Sequence, residues 1–134
     1  MSYTLRLAAN VLKIAEKEWG KAGEIKFTLF TSCIGIVAKK AGSNEVIGVH
    51  LVMTDDQHEF FTDGDADDVK RQFDTYGADA STIEFIGEIG TWESSRPNPY
   101  KRLVALIKPV AKKDLGEGTY GAKLTNGKVV IVTY

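Results

Sequence analysis

The sequence predicts an α+β fold, a layered α/β sandwich of mixed or antiparallel sheets with about three helices. Most of its periodic segments have the β-branched and aromatic composition of strands, and about three have the spacing of amphipathic helices. Strand-like segments often follow one another directly, without the regular alternation of strand and helix that builds a parallel sheet. A chain of 134 residues is also short enough to be a single domain over residues 1–134.

The first predicted helix covers residues 5–19. Thr4 is its candidate N-cap, and Gly20 and Gly23 follow its end. Its apolar positions recur at helical spacing and are Leu5, Ala8, Val11, Leu12, Ala15 and Trp19. This stripe predicts a helix that packs on a sheet.

Strands are predicted next. Residues 25–38 are rich in Ile, Val, Phe and Thr, with a bend expected near residues 31–33. The polar segment 39–45 separates them from the apolar run 46–53, so the two runs should form an antiparallel hairpin. Residues 59–62 are a further candidate strand.

A second helix is predicted after residue 62. Asp63 or Asp65 is its candidate cap, and Gly77 suits the position just after its end, where the backbone often becomes left-handed. Residues 82–90 then predict a strand whose two glutamates lie at the solvent side or at the edge of a sheet.

The last third of the chain predicts a third helix and a closing hairpin. Asn98 is the candidate cap, Pro99 suits the first turn, and Pro109 ends the helix. Two strand-like runs within residues 121–132 flank an Asn-Gly pair at 126–127, which readily adopts the positive φ angles of a two-residue turn.

Composition and charge argue against several classes of function. The chain carries 17 Lys and Arg residues against 18 Asp and Glu residues, and the basic ones are scattered, so nucleic-acid binding is not expected. No segment approaches the ~20 apolar residues that span a bilayer, and the first residues lack the pattern of a signal peptide. We therefore expect a cytoplasmic protein, or an effector delivered without a cleavable signal.

Cys33 and His50 are the leading candidates for chemistry. Cys33 is the one cysteine in the chain, so it is either a small buried hydrophobic residue or a reactive thiol. His50 lies in the next strand-like run, and strands joined by a short turn are usually neighbours in a sheet. An imidazole that removes the proton of a thiol allows the sulfur to attack a carbonyl or carboxamide carbon. Each residue alone is more often a structural part of the core, but their joint placement on consecutive strand-like runs predicts a catalytic pair.

Residues near the cysteine offer supporting groups. The hydroxyl of Thr28, Thr31 or Ser32 can accept the imidazole N–H and fix its tautomer. Backbone N–H groups in the expected bend are candidate oxyanion donors. Gly87 lies in a glycine-containing strand and predicts a bulge or a close approach of backbone, with a substrate as the candidate, so Gly87 joins Thr31 and Ser32 as a candidate oxyanion or substrate-binding residue.

Two other segments have simpler explanations. His58 is a competing base, but its acidic loop 55–59 is typical of a solvated turn, and its side chains are too close together to surround a metal ion. We expect no metal and no cofactor. Segment 92–100, with Trp92 and Tyr100, is a candidate recognition loop.

Two motifs resemble those of the chemotaxis receptor glutamine deamidase (CheD) family. Residues 28–36, Thr-Leu-Phe-Thr-Ser-Cys-Ile-Gly-Ile, resemble its Thr-Leu-Gly-Leu-Gly-Ser-Cys-hydrophobic segment. Residues 47–53, Ile-Gly-Val-His-Leu-Val-Met, resemble its Gly…His-hydrophobic-Met-Leu segment at a similar distance from the cysteine. The resemblance continues in order over about residues 25–132, and it extends more remotely to the deamidating toxins related to cytotoxic necrotising factor.

The resemblance implies a cysteine-dependent enzyme that converts glutamine side chains of a protein substrate to glutamate through a thioester. Cys33, His50 and Thr28 would be the catalytic residues, and a regulatory protein partner is a further implication. The spacing from Thr28 to Cys33 is one residue shorter than in the family, so Thr31 and Ser32 are alternatives for the third residue. Two other functions stay open, a non-catalytic interaction domain on the same scaffold and a transglutaminase that uses an amine in place of water.

Overall fold

The computed structural model describes residues 3–134 and confirms the α+β layered fold. The strands are β1 (Arg6–Leu7), β2 (Glu18–Ala22), β3 (Glu24–Lys26), β4 (Ile34–Lys39), β5 (Val46–Leu51), β6 (Glu84–Gly87), β7 (Ala111–Asp114), β8 (Tyr120–Thr125) and β9 (Lys128–Thr133). The helices are α1 (Asp63–Thr75), α2 (Ile89–Ser95) and α3 (Pro97–Ile107), with a short 3₁₀ helix at Ala80–Thr82. Within residues 3–134, no helix is long and apolar enough to cross a membrane.

A six-stranded mixed sheet forms the middle layer, in the order β1-β2-β5-β4-β6-β7. On one face, Trp19 of β2 packs edge-on against Phe73 of α1, with ring centroids 4.9 Å apart. The three-stranded sheet β3-β8-β9 covers the opposite face. Phe27, which follows β3 and whose N–H donates to the Tyr120 carbonyl of β8, has its ring so close to this face that a Cβ atom at Gly35 or Gly48 would crowd it. Because both faces are covered, β4 and β5 are buried along nearly their whole length, which explains their apolar sequences.

Both predicted hairpins are confirmed. Strands β4 and β5 pair antiparallel, with Gly35 opposite His50. Strands β8 and β9 also pair antiparallel, and Asn126 and Gly127 between them have φ angles of 53° and 76°. The predicted bend at residues 31–33 separates β4 from the preceding segment, which pairs with the smaller sheet.

Helix α1 begins and ends close to its predicted bounds, but its cap differs. The N-cap is Thr62, whose hydroxyl accepts from the Asp65 N–H, while the Asp65 carboxylate accepts from the Thr62 N–H at 2.8 Å. This reciprocal pair is a capping box, in which the predicted Asp65 cap serves instead as the third helical residue. Gly77 has a φ angle of 73°, as predicted for the residue after the helix.

The predicted helix over residues 5–19 is wrong. Only the short strand β1 and the start of β2 are regular structure there, and the residues between them run beside Lys26. The Ile14 N–H donates to the Lys26 carbonyl, and the Lys26 N–H donates to the Val11 carbonyl, both at 2.9 Å. Pairing with a sheet edge therefore uses the backbone groups that a helix would need, and an isolated helix of this length is only marginally stable.

The region 82–100 also differs from its prediction. The strand is shorter, because Gly87 has a φ angle of 103° and residues from Ile89 onward form α2. Helix α3 begins at Pro97, earlier than the predicted Asn98 cap, because this proline occupies the first helical position. The candidate strand over 59–62 reduces to an isolated bridge from Phe60.

The edge strand β7 was not predicted. It pairs parallel with β6, and its sequence, Ala-Lys-Lys-Asp, is mostly exposed and lacks apolar alternation. Glu84, expected at the solvent side or an edge, is instead buried in β6, where its carboxylate lies 2.7 Å from Lys113 Nζ of this neighbouring strand.

Candidate active site

His50 is fully buried near the end of β5, with its ring against Phe30 at 4.6 Å between centroids. Its Nδ1 atom lies 2.9 Å from the Ile14 carbonyl oxygen and 3.5 Å from Thr28 Oγ1. A carbonyl oxygen can only accept, so Nδ1 carries the proton and donates it to Ile14. In neutral His50 the Nε2 atom therefore has a free lone pair, as a general base requires.

Nε2 of His50 has no hydrogen-bond partner among the residues that the structure describes. Burial lowers the pKa of His50 to about 4, although its hydrogen bond to the Ile14 carbonyl acts in the opposite direction. The ring is therefore neutral at pH 7, with its basic nitrogen unoccupied.

Cys33 is fully buried in the bend that leads into β4. It lies just before the first residue of β4 and two residues before Gly35, the partner of His50. No hydrogen bond joins the two side chains within the described part of the chain.

The thiol of Cys33 is neutral in this conformation. Burial raises the pKa of Cys33 to about 11, and the nearby carboxylate of Glu16 acts in the same direction. Hydrogen bonds from the backbone of Thr31 and Ser32 and from the Thr31 side chain lower it in part. Thr31 and Ser32 therefore lie next to the thiol, and their role as oxyanion donors stays a prediction.

Two hydrogen bonds from residues 88–92 hold the backbone of the bend that carries Cys33. Trp92 Nε1 donates to the Ser32 carbonyl at 2.9 Å, and the Glu88 N–H donates to the Cys33 carbonyl at 3.0 Å. A Cβ atom at Gly87 would lie 2.7 Å from that same carbonyl oxygen. The close approach predicted at Gly87 is therefore an approach of the cysteine's own backbone.

A polar groove of about 290 Å³ lies beside this site. Thr28 lines it, together with Glu16, Lys17 and Asp55. Because the hydroxyl of Thr28 also reaches His50, the groove adjoins the imidazole and is the candidate entrance for a substrate side chain.

Of the three predicted hydroxyls, Thr28 is the one near the imidazole, whereas those of Thr31 and Ser32 belong to the bend at the sulfur. His58 lies apart, in an exposed turn where its N–H donates to the Asp55 carbonyl. No group of three His, Cys, Asp or Glu side chains that could hold a metal ion occurs within residues 3–134.

The predicted recognition loop over 92–100 is wrong, because the segment is helical. Trp92 and Tyr100 are both buried, so they offer no exposed aromatic surface. Sequence reasoning also missed Ile14 and Lys17, which touch the site mainly through backbone atoms and carry no sequence signal for that role.

No protein-family model and no curated protein matches this chain.

The shifted pKa of His50 predicts a dependence of stability on pH. Between pH 6.5 and about 4 the unfolded chain binds a proton at this residue and the folded chain does not. Acid therefore favours unfolding in this interval, and the free energy of unfolding should fall by about 3 kcal/mol in total from this group. Urea titrations from neutral to acid pH measure the fall.

The control for this prediction is His50→Gln, which keeps an amide donor for the Ile14 carbonyl but does not titrate. We expect its stability to depend less on pH in that interval, since only the carboxyl groups still contribute. An equal loss of stability in both proteins would contradict the assignment to His50.

Proposed function

We propose that the chain is a cysteine-dependent protein-glutamine deamidase. The observation that carries the proposal is the state of His50: Ile14 and Thr28 hold one nitrogen, and the other is buried and without a partner among the described residues, in the strand that pairs with β4, which Cys33 immediately precedes. A core histidine without a function usually has both nitrogens satisfied. An imidazole fixed in this tautomer is suited to accept the proton of a thiol.

In the proposed reaction, His50 Nε2 takes the proton of Cys33 as the sulfur attacks the carboxamide carbon of a glutamine side chain. The N–H groups near Thr31 and Ser32 stabilise the oxyanion that forms. The imidazolium then protonates the leaving nitrogen, so that the C–N bond breaks, ammonia departs and a thioester remains.

Water completes the cycle. Neutral His50 takes a proton from a water molecule as its oxygen attacks the thioester carbon, and the imidazolium returns that proton to the sulfur. The products are glutamate and the free thiol. Thr28 and the Ile14 carbonyl stabilise the imidazolium in both steps because they accept from its Nδ1–H. Attack by an amine instead of water would give transglutamination, which shares every step up to the thioester.

A non-catalytic interaction domain is the second candidate, and one observation favours it. Cys33 is fully buried and its pKa is raised, which is the state of a structural cysteine. The two candidates therefore differ in whether His50 controls the reactivity of the thiol.

Alkylation of Cys33 by iodoacetamide over a range of pH separates them. Direct transfer of the thiol proton to neutral His50 exchanges no proton with solvent, so the rate by this route does not depend on pH, whereas the rate through free thiolate rises with pH. The deamidase proposal therefore predicts a plateau in the rate across neutral pH, and His50→Ala should remove this plateau. Iodoacetamide suits the test because it carries the carboxamide group of the proposed substrate.

The matched control is His58→Ala, which removes the exposed histidine and should leave the plateau unchanged. A structural cysteine predicts a different profile, with a rate that rises about tenfold per pH unit toward pH 11 in all three proteins. That profile would reject the deamidase proposal in favour of the interaction domain.

A further inference from the structure

Residues 14–17, which we call the strap, cover the imidazole of the candidate site. The strap contacts His50 at two polar positions: its Ile14 carbonyl accepts from Nδ1 at 2.9 Å, and the Lys17 N–H donates to the His50 carbonyl at 2.7 Å. Between these contacts, Glu16 lies close enough to Cys33 to raise its pKa. The strap therefore fixes the imidazole, and its residues 15–17 line the groove beside the site.

An ion pair fastens the end of the strap. Lys17 Nζ lies 2.8 Å from Asp55 Oδ2, and the two side chains are only 14% and 3% exposed. The other oxygen of Asp55 accepts from the N–H groups of Gln57 and Glu59, at 2.9 and 2.8 Å, so this anchor is itself held in place.

The backbone of the strap is strained at the same point. Lys17 has a φ angle of 66°, in the left-handed region that side chains other than glycine rarely adopt. Such a conformation persists where surrounding contacts impose it. The contacts available here are the hydrogen bond to the His50 carbonyl and the ion pair with Asp55.

We propose that the Lys17–Asp55 ion pair is a latch that closes the strap over the site. Asp55 and Lys17 are then positioning residues: closed, the latch holds the Ile14 carbonyl on His50, and when it opens, Cys33 becomes accessible from the groove. The role in catalysis rests on the proposed function, whereas the control of access to the thiol does not.

Asp55→Asn tests the latch. The asparagine removes the charge but keeps an oxygen for the N–H groups of Gln57 and Glu59, so the anchoring turn should survive. A buried thiol reacts only from the open state, so its labelling rate follows the open fraction. We expect iodoacetamide to label Cys33 about tenfold faster in the variant at pH 7, equivalent to a loss of roughly 1.4 kcal/mol from the closed state.

A second readout reports the position of the strap directly. In the wild type, ¹⁵N chemical shifts should show His50 protonated at Nδ1, because the Ile14 carbonyl selects that tautomer. In Asp55→Asn we expect a mixture of tautomers, which a general loss of packing elsewhere would not produce. Should Asp55→Asn fail to fold, Lys17→Met breaks the same pair and leaves the turn at residues 55–59 intact.

The matched control is Glu84→Gln, which breaks another ion pair with a buried carboxylate, that between Glu84 in β6 and Lys113 in β7. Equal labelling rates in Glu84→Gln and Asp55→Asn, or an unchanged Nδ1 tautomer in the latter, would overturn the latch. If Asp55→Asn labels faster and His50→Ala does not change the pH profile of labelling, the latch is supported and the deamidase is rejected. If the plateau depends on His50 but Asp55→Asn does not change the labelling rate, the deamidase is supported and the latch is rejected.

Discussion

Cys33→Ser is expected to abolish the release of ammonia from glutamine in a protein substrate, with a loss of roughly a thousandfold or more. The hydroxyl of serine ionises far less readily than a thiol, and a neutral imidazole with a lowered pKa does not compensate for the difference. The measurement is ammonia released from a glutamine-rich protein such as casein, followed by an enzyme-coupled assay.

The fold of Cys33→Ser should remain intact. The side chain is almost the same size, and the polar groups of Thr31 and Ser32 lie next to the sulfur position, so the hydroxyl has polar neighbours. Circular dichroism and urea unfolding check this point. An active, folded Cys33→Ser protein would contradict the thioester mechanism, whereas activity that is unchanged in His58→Ala would show that a histidine outside the site is not needed.

The parts of the fold that were predicted correctly depend on local sequence. The terminal hairpin follows from Asn126 and Gly127, because positive φ angles at those two positions determine the turn. The end of α1 follows from Gly77 for the same reason. The N-terminal segment was wrong because its structure depends on long-range pairing. Its apolar spacing fits a helix as well as an extended segment, and the hydrogen bonds with Lys26 at the sheet edge favour the extended one.

In the candidate site, too, some residues could be selected from the sequence and others could not. Cys33, His50 and Thr28 could be selected from the sequence because side chains of those types in consecutive strands have a chemical meaning. The latch could not be selected, because Lys17 and Asp55 are 38 residues apart and each is unremarkable in its own segment. A backbone carbonyl such as that of Ile14 has no sequence signature at all, and only the three-dimensional structure reveals that it determines the tautomer.

Gly87→Ala is expected to destabilise the protein by roughly 3 kcal/mol or more, through two effects at one position. Its φ angle of 103° is one that alanine rarely adopts, and the new methyl group would lie 2.7 Å from the Cys33 carbonyl oxygen and 2.8 Å from the Phe30 ring. Neither neighbour can move freely, since the Glu88 N–H holds the carbonyl and Phe30 packs against His50. Urea unfolding measures the loss.

Gly77→Ala separates the two effects, because Gly77 also has a positive φ angle, 73°, but open space around the position of a Cβ atom. It should cost only about 1 kcal/mol, the conformational part alone. The additional loss of unfolding free energy in Gly87→Ala then measures the cost of the steric contact between β6 and the bend at Cys33. Because that contact displaces the bend, Cys33 in this variant should also label faster with iodoacetamide. Equal costs for the two glycines would mean that the bend moves easily, and that the backbone of β6 does not fix the position of the thiol.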